Sequence, residues 1–180
     1  DVATCEGAAT IALELLDSGI DLDVVLVALG GGALASGVGC VLKELSPATQ
    51  VVSVQPAGAP AMTLSWRRQH VVHTDGIDTI ADGVAGRFPI PEVLDDLLEV
   101  LDDAVLVDET AITSAMRHLL DHAGLVVEPS AALGVAAMLV DPERYDGRTV
   151  ATVICGSNVA ADQFRMWTQP SGADGAPTRR

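Results

Sequence analysis

The stretch VVLVALGGGALASGVGCVLKEL, residues Val24 to Leu45, decides the fold. Val24 to Leu29 is a continuous apolar run, the signature of a strand buried on both faces of a parallel sheet. Three consecutive glycines follow, then a small-residue helix pattern from Ala33 to Leu45 that halts before Pro47. Successive glycines at the start of a helix let backbone N–H groups converge where the helix dipole favours an anion. The loop therefore reads as a phosphate cup made by Gly30, Gly31, Gly32, Ala33 and Leu34, or as a tight strand-to-helix turn that needs close packing. GGGALA also fits the dinucleotide pattern G-x-G-x-x-A. That pattern wants an acidic residue roughly 20 positions on, at the end of the second strand. Here the second strand ends in Gln55-Pro56, and no Walker Lys-Ser/Thr follows the glycines.

Outward from this unit the chain alternates in type. Upstream, CEGAATIALELLDSG has helical spacing and stops at Gly19. Downstream, TQVVSVQ is a strand closed by Pro56, and Ala59 to Arg68 is helical. The Gly- and Asp-rich segment from His70 to Gly86 is irregular. A helix starts at Pro91 and runs to Leu98, and AVLVD is a strand whose Asp108 caps a helix to His122. GLVVE is extended, and Pro129 opens an Ala-rich helix to Val140. TVATVIC is the last strand, followed by a GSN turn and a helix from Asp162 to Trp167. This alternation predicts an α/β domain over residues 1–167: a three-layer parallel sheet with helices on both faces. Residues 168–180 read as a disordered tail. Ligands bind such folds at the carboxyl ends of the strands, where Gly30 to Leu34, Gln55, Glu128 and Cys155 to Asn158 stand.

Composition narrows the classes. A formal charge of −15 argues against a nucleic-acid or anionic-membrane partner. Val24 to Leu42 carries no charge over 19 residues, nominally a spanning length, yet its five glycines fit a strand, turn and helix better than a membrane span. Cys5, Cys40 and Cys155 are an odd number without CxxC spacing, which predicts reduced thiols and a cytoplasmic protein. His118 and His122 lie at i, i+4 in a last helical turn, where helix-dipole contact explains them better than a metal. Asp95-Asp96 and Asp102-Asp103 read as solvated charges.

Five separated motifs, ALGGGALASG, SVQPAGAPAM, TIADGVAG, GLVVEPSAALGVAA and TVICGSNV, occur in an order and spacing that resemble the serine/threonine dehydratase and serine racemase family. EGAATIALEL resembles its GxGTIxxE segment. These are fold-type-II enzymes that use pyridoxal 5'-phosphate (PLP), so the resemblance implies the larger, tryptophan synthase β-like lobe of that fold. It implies that Gly30, Gly31, Gly32, Ala33 and Leu34 hold the cofactor phosphate, with Ala33 in place of the usual fourth glycine. Cys155 matches the residue facing the pyridine nitrogen, and Glu128 a glutamate near the ring. Asp82 and Gly83 match a loop beside the substrate. For each, a structural reading stands alongside: a buried small residue for Cys155, a helix-terminal acid for Glu128, a capped turn for Asp82 and Gly83. Some family members carry a divalent-cation site whose carboxylates are replaced here by Gln55 and Ala61, so no metal is expected.

Such an enzyme needs a lysine to bond the cofactor and move the α-proton. The only lysine is Lys43, ten residues along the helix after the glycines, about 15 Å from its start. In the family the lysine and an SxGN-type loop that grips the substrate carboxylate belong to the amino-terminal half. The chain begins at Asp1, not methionine, and is expected to be processed, truncated or cut from something longer. The expectation is the carboxy-terminal portion of a PLP-dependent ammonia-lyase for L-serine or L-threonine, inactive without its missing amino-terminal half. Serine racemase, a non-catalytic phosphate or PLP module, and a nonfunctional piece remain alternatives. A homodimer is a family expectation only.

Overall fold

The computed structural model describes residues 2–169. Helix α1 (Val2–Asp17) precedes strand β1 (Val24–Ala28), and α2 (Ala33–Leu45) and β2 (Gln50–Pro56) follow. Next come α3 (Ala61–Arg68), α4 (Pro91–Val100), β3 (Asp103–Val107) and α5 (Glu109–Ala123). Helices α6 (Leu133–Val140) and α7 (Pro142–Tyr145), strand β4 (Val150–Thr152) and α8 (Ala161–Thr168) complete the order. Of the expected tail, Thr168 closes α8 and residues 170–180 lie outside the described range.

The sheet is parallel throughout, in the order β3-β2-β1-β4. Every residue of β1 is buried, and its side chains alternate between two cores. Val24, Leu26 and Ala28 pack with Ile112 and Met116 of α5, Leu133 of α6 and Phe164 of α8. Val25, Val27 and Leu29 pack with Ala12 of α1, Val38 and Leu42 of α2 and Leu97 of α4. This alternation is the three-layer arrangement, and each fully buried Val or Leu contributes about 1.5–3 kcal/mol. Since β2 and β4 flank β1 on opposite sides, the chain reverses direction across the sheet between them. A crevice forms at such a reversal beyond the carboxyl ends, between the loops after β1 and β4.

Three local expectations need correction. The last strand pairs over Val150–Thr152 alone, short of Cys155, because among the described residues its sole neighbour is β1 and the register ends at Leu26 and Thr152. The helix expected from Pro129 opens as a 3₁₀ turn, Pro129–Ala132, in which Ala131 N–H donates to Glu128 O at 3.1 Å; α-helix begins at Leu133. Asp102 and Asp103 are not merely solvated. Asp102 Oδ2 accepts from Lys43 Nζ and from Val51 N–H, both at 2.6 Å. Asp103 pairs with Arg144 at 2.8 Å and accepts from Ala104 N–H at 2.7 Å.

The Asp102 bridge fastens the last turn of α2 to the amino ends of β2 and β3. Replacing Asp102 by Ala leaves Val51 N–H and Lys43 without their acceptor, and should cost about 1–2 kcal/mol, the scale of hydrogen bonds to a charged group discounted for exposure. Urea unfolding of Asp102→Ala against Lys43→Gln checks this; the aspartate variant should lose more.

Candidate functional site

The turn from β1 into α2 depends on Gly32, which caps the helix at φ 96°, a left-handed conformation that a side chain resists. A Cβ there would also strike Val93 of α4. No side chain caps α2, and among the described residues no protein acceptor meets the backbone N–H groups of Gly30, Gly31, Gly32, Ala33 or Leu34. The first bond into the helix is Ser36 N–H to Gly32 O at 2.8 Å. Five successive donors therefore lie free at the carboxyl end of the central strand. Gly31 has open space where a Cβ would sit, so this backbone is accessible to a ligand.

The other sequence-selected residues gather beside this loop. A Cβ on Gly30 would lie 3.0 Å from Val84 Cα, which places the 3₁₀ turn Asp82–Val84 against the glycines. Gly83 in turn abuts Ser130 and Glu128: its Cβ position is 2.9 Å from Ser130 Oγ and 3.4 Å from Glu128 Oε1. The Glu128 carboxylate lies over Gly156, where any side chain would displace it, and its Oε2 accepts from Asn158 N–H at 3.0 Å. Glu128 N–H donates to Gly156 O at 3.2 Å. Gly30, Gly83, Glu128 and Gly156 thus form a contiguous row from the β1 loop to the β4 loop. Asp82 is exposed and lines a separate hollow with Asn158 and Trp167.

Cys155 lies at the exposed rim after β4. Desolvation by the surrounding protein raises its thiol above the ordinary value, and the nearby Glu128 charge adds to the rise. The thiol is consequently neutral near pH 7. Lys43, held by Asp102, sits at the opposite end of the sheet from the glycines. His118 and His122 stack on one another with centroids 4.1 Å apart, and no cluster of three metal-ligating side chains occurs among the described residues.

Gln55, a strand-end candidate in the sequence, caps α3, with Oε1 accepting from Thr63 N–H at 2.9 Å. Two further contributors escaped sequence reasoning. Glu109 Oε2 accepts from Ile80 N–H at 3.0 Å and so anchors the segment before Asp82. Ser130 is 3% exposed, and its hydroxyl has no protein partner. Glu109 and Ser130 carry no local pattern that would single them out, whereas Gln55 was marked by its place at a strand's carboxyl end.

Fold and site together define a doubly covered parallel α/β domain with a run of unpartnered backbone N–H groups at the end of its central strand. Comparison with known proteins sharpens that class. Residues 1–156 match the model of the pyridoxal-phosphate dependent enzyme family, and the chain belongs to that family. Over 153 residues it is 37% identical to L-threonine ammonia-lyase of Thermotoga maritima, covering 85% of this chain and 38% of that protein. It is 31% identical to serine racemase of Oryza sativa subsp. indica over 164 residues, 87% of this chain and 47% of the relative. The processed form of threonine deaminase isoform 2 from Solanum lycopersicum superposes with a TM-score of 0.86 at 30% identity, covering 91% of this chain and 46% of that one. The chain thus spans less than half the length of each. Family and relatives are PLP-dependent ammonia-lyases and racemases, and the structural likeness confirms the fold-type-II arrangement expected from the sequence. No helix among the described residues is long and apolar enough to cross a membrane.

The Glu128 contribution to Cys155 is directly measurable. In a Cys5→Ser, Cys40→Ser background, the pH midpoint of Cys155 alkylation should lie above that of a free thiol. Glu128→Gln should move it downward. An upward or absent shift would show that the carboxylate does not act on the thiol.

Proposed function

We propose that residues 1–167 form the phosphate- and ring-holding portion of a PLP-dependent ammonia-lyase that acts on a small hydroxy amino acid, L-serine or L-threonine. We propose also that this chain alone does not turn that substrate over. The observation that carries the reading is the run of five unpartnered N–H groups from Gly30 to Leu34 at the amino end of α2. Such donors with the helix dipole behind them suit a phosphate dianion. Ala33 leaves that donor set intact, because a methyl group in the first helical turn removes no N–H.

In this reading Gly30, Gly31, Gly32, Ala33 and Leu34 hold the cofactor phosphate. Cys155 faces the pyridine nitrogen with a neutral thiol, and Glu128, fixed by Asn158 N–H, flanks the ring. Asp82 and Gly83 border the substrate. Bound PLP supplies an electron sink for negative charge developing at the substrate Cα. This chain's residues bind and orient. A proton must still be moved at Cα, and Lys43, tied to Asp102 at the far end of the sheet, is not placed to do it. The amine that takes this proton and the clamp for the substrate carboxylate belong, in this reading, to an amino-terminal half. A serine racemase is the second reading, favoured by the likeness to the rice enzyme.

Gly31→Val provides the test, since the open space at Gly31 accepts a side chain without disturbing the fold. The wild-type chain should bind PLP, seen as a change in cofactor absorbance and fluorescence. Gly31→Val should fold with unchanged circular dichroism and bind at least about tenfold more weakly, a loss of about 1.4 kcal/mol. The PLP-loaded wild-type chain should release no 2-oxo acid from L-serine or L-threonine. Equal binding by the two proteins would remove the phosphate assignment, and turnover would remove the claim of inactivity.

A further inference from the structure

Beside Gly30 and Gly31 lies a cavity of about 80 Å³ whose wall is largely apolar, with Gln55 its one polar side chain. Gln55, on β2, lines it and is 1% exposed. Its Oε1 accepts from Thr63 N–H at 2.9 Å, which fixes the amide, and among the described residues no protein acceptor meets Nε2. Ala61 and Met62 form another part of the wall. They open α3, whose amino end has no side-chain cap apart from Gln55 at Thr63, and neither N–H finds a protein acceptor. The glycine loop that leads into α2 and the amino end of α3 therefore line one small space together with Gln55.

The charge around this space is unlike that of the whole molecule. The chain carries 25 acidic residues, yet none lines the cavity. Phe88 stands at its edge, and the Arg87 guanidinium lies over that ring, 4.9 Å from the centroid. Donors left without acceptors carry a desolvation cost, and the amino end of α3 carries partial positive charge. An occupant that accepts hydrogen bonds and carries negative charge relieves both.

We propose that Gln55 and the amino end of α3 complete the phosphate cup, so that Gln55 Nε2 donates to the phosphoryl group of the cofactor. The assignment rests on the PLP reading above and adds a side-chain donor to its backbone cup. It gives the phosphate a second helix dipole and leaves the pyridine ring outside the cavity. The recognised chemistry is the phosphoryl group itself, which inorganic phosphate shares and unphosphorylated pyridoxal lacks.

The test is isothermal titration of the full chain with PLP, inorganic phosphate and pyridoxal. Gln55→Glu keeps the oxygen that caps Thr63 but replaces the donor by a carboxylate oxygen. Gln55→Leu removes donor and cap without adding a charge, so folding of the first variant does not limit the result. Wild type should bind PLP and phosphate competitively. Both variants, folded by circular dichroism, should bind each at least tenfold more weakly, with pyridoxal unaffected. Wild-type PLP binding that persists undiminished in both variants would overturn the role of Gln55 and leave the PLP reading standing. Simultaneous binding of PLP and phosphate would also overturn it, since the cavity would then hold a separate anion. Failure of wild type to bind any phosphate compound would overturn the PLP reading and this assignment with it.

Discussion

The backbone turn at Gly32 is the constraint on which the site depends. Its left-handed conformation ends β1 and starts α2 within three residues, and it leaves consecutive N–H groups without a protein acceptor among the described residues. A side chain at this position would have to adopt a strained φ and enter the space filled by Val93. The turn therefore joins two requirements that are usually separate. Close packing of α2 on α4 demands a glycine, and the same glycine opens the donor cup. Local hydrogen bonding is given up at the loop, and the two cores on either face of β1 hold the geometry in place.

Those cores use small and branched aliphatic side chains. With aromatics at only 3% of the sequence, the helices approach the sheet closely and the loops at its carboxyl end pack against one another. The row from Gly30 through Gly83 and Glu128 to Gly156 follows from this close approach. A carboxylate at the centre of the row is kept by Asn158 N–H and by the absence of side chains on the two glycines that touch it. Desolvation raises the Cys155 thiol and the same carboxylate adds to the rise, so the β4 rim presents a neutral sulfur group. Charges that stabilise the sheet are kept at its other end, where Lys43, Asp102, Arg144 and Asp103 form two ion pairs.

Much of this was legible in the sequence. The β1 run had to be buried on both faces because it has no polar residue to give to solvent, and the glycines could only be a turn into a helix. The order of five motifs fixed the family. What stayed hidden depends on partners distant in sequence. The length of β4 is set by where β1 stops pairing with it, which no residue of TVATVIC encodes. Pro129 signals a helix start, but its first turn is 3₁₀, closed by Ala131 N–H on Glu128 O, while Glu128 N–H is tied to Gly156 O far along the chain. Asp102 looked like a solvated acid because its partners, Lys43 and Val51, lie 59 and 51 residues away. Gln55 read as a substitution in a cation site, whereas its amide oxygen holds the amino end of α3.

The central claim is that the free N–H groups from Gly30 to Leu34 receive a phosphate. Amide ¹H–¹⁵N spectra of the chain during a PLP titration address it residue by residue. The account predicts that the largest downfield proton shifts fall on Gly30 to Leu34, as a hydrogen bond to an anion forms at each. Shifts confined to other residues, with these five amides unmoved while PLP binds, would contradict it.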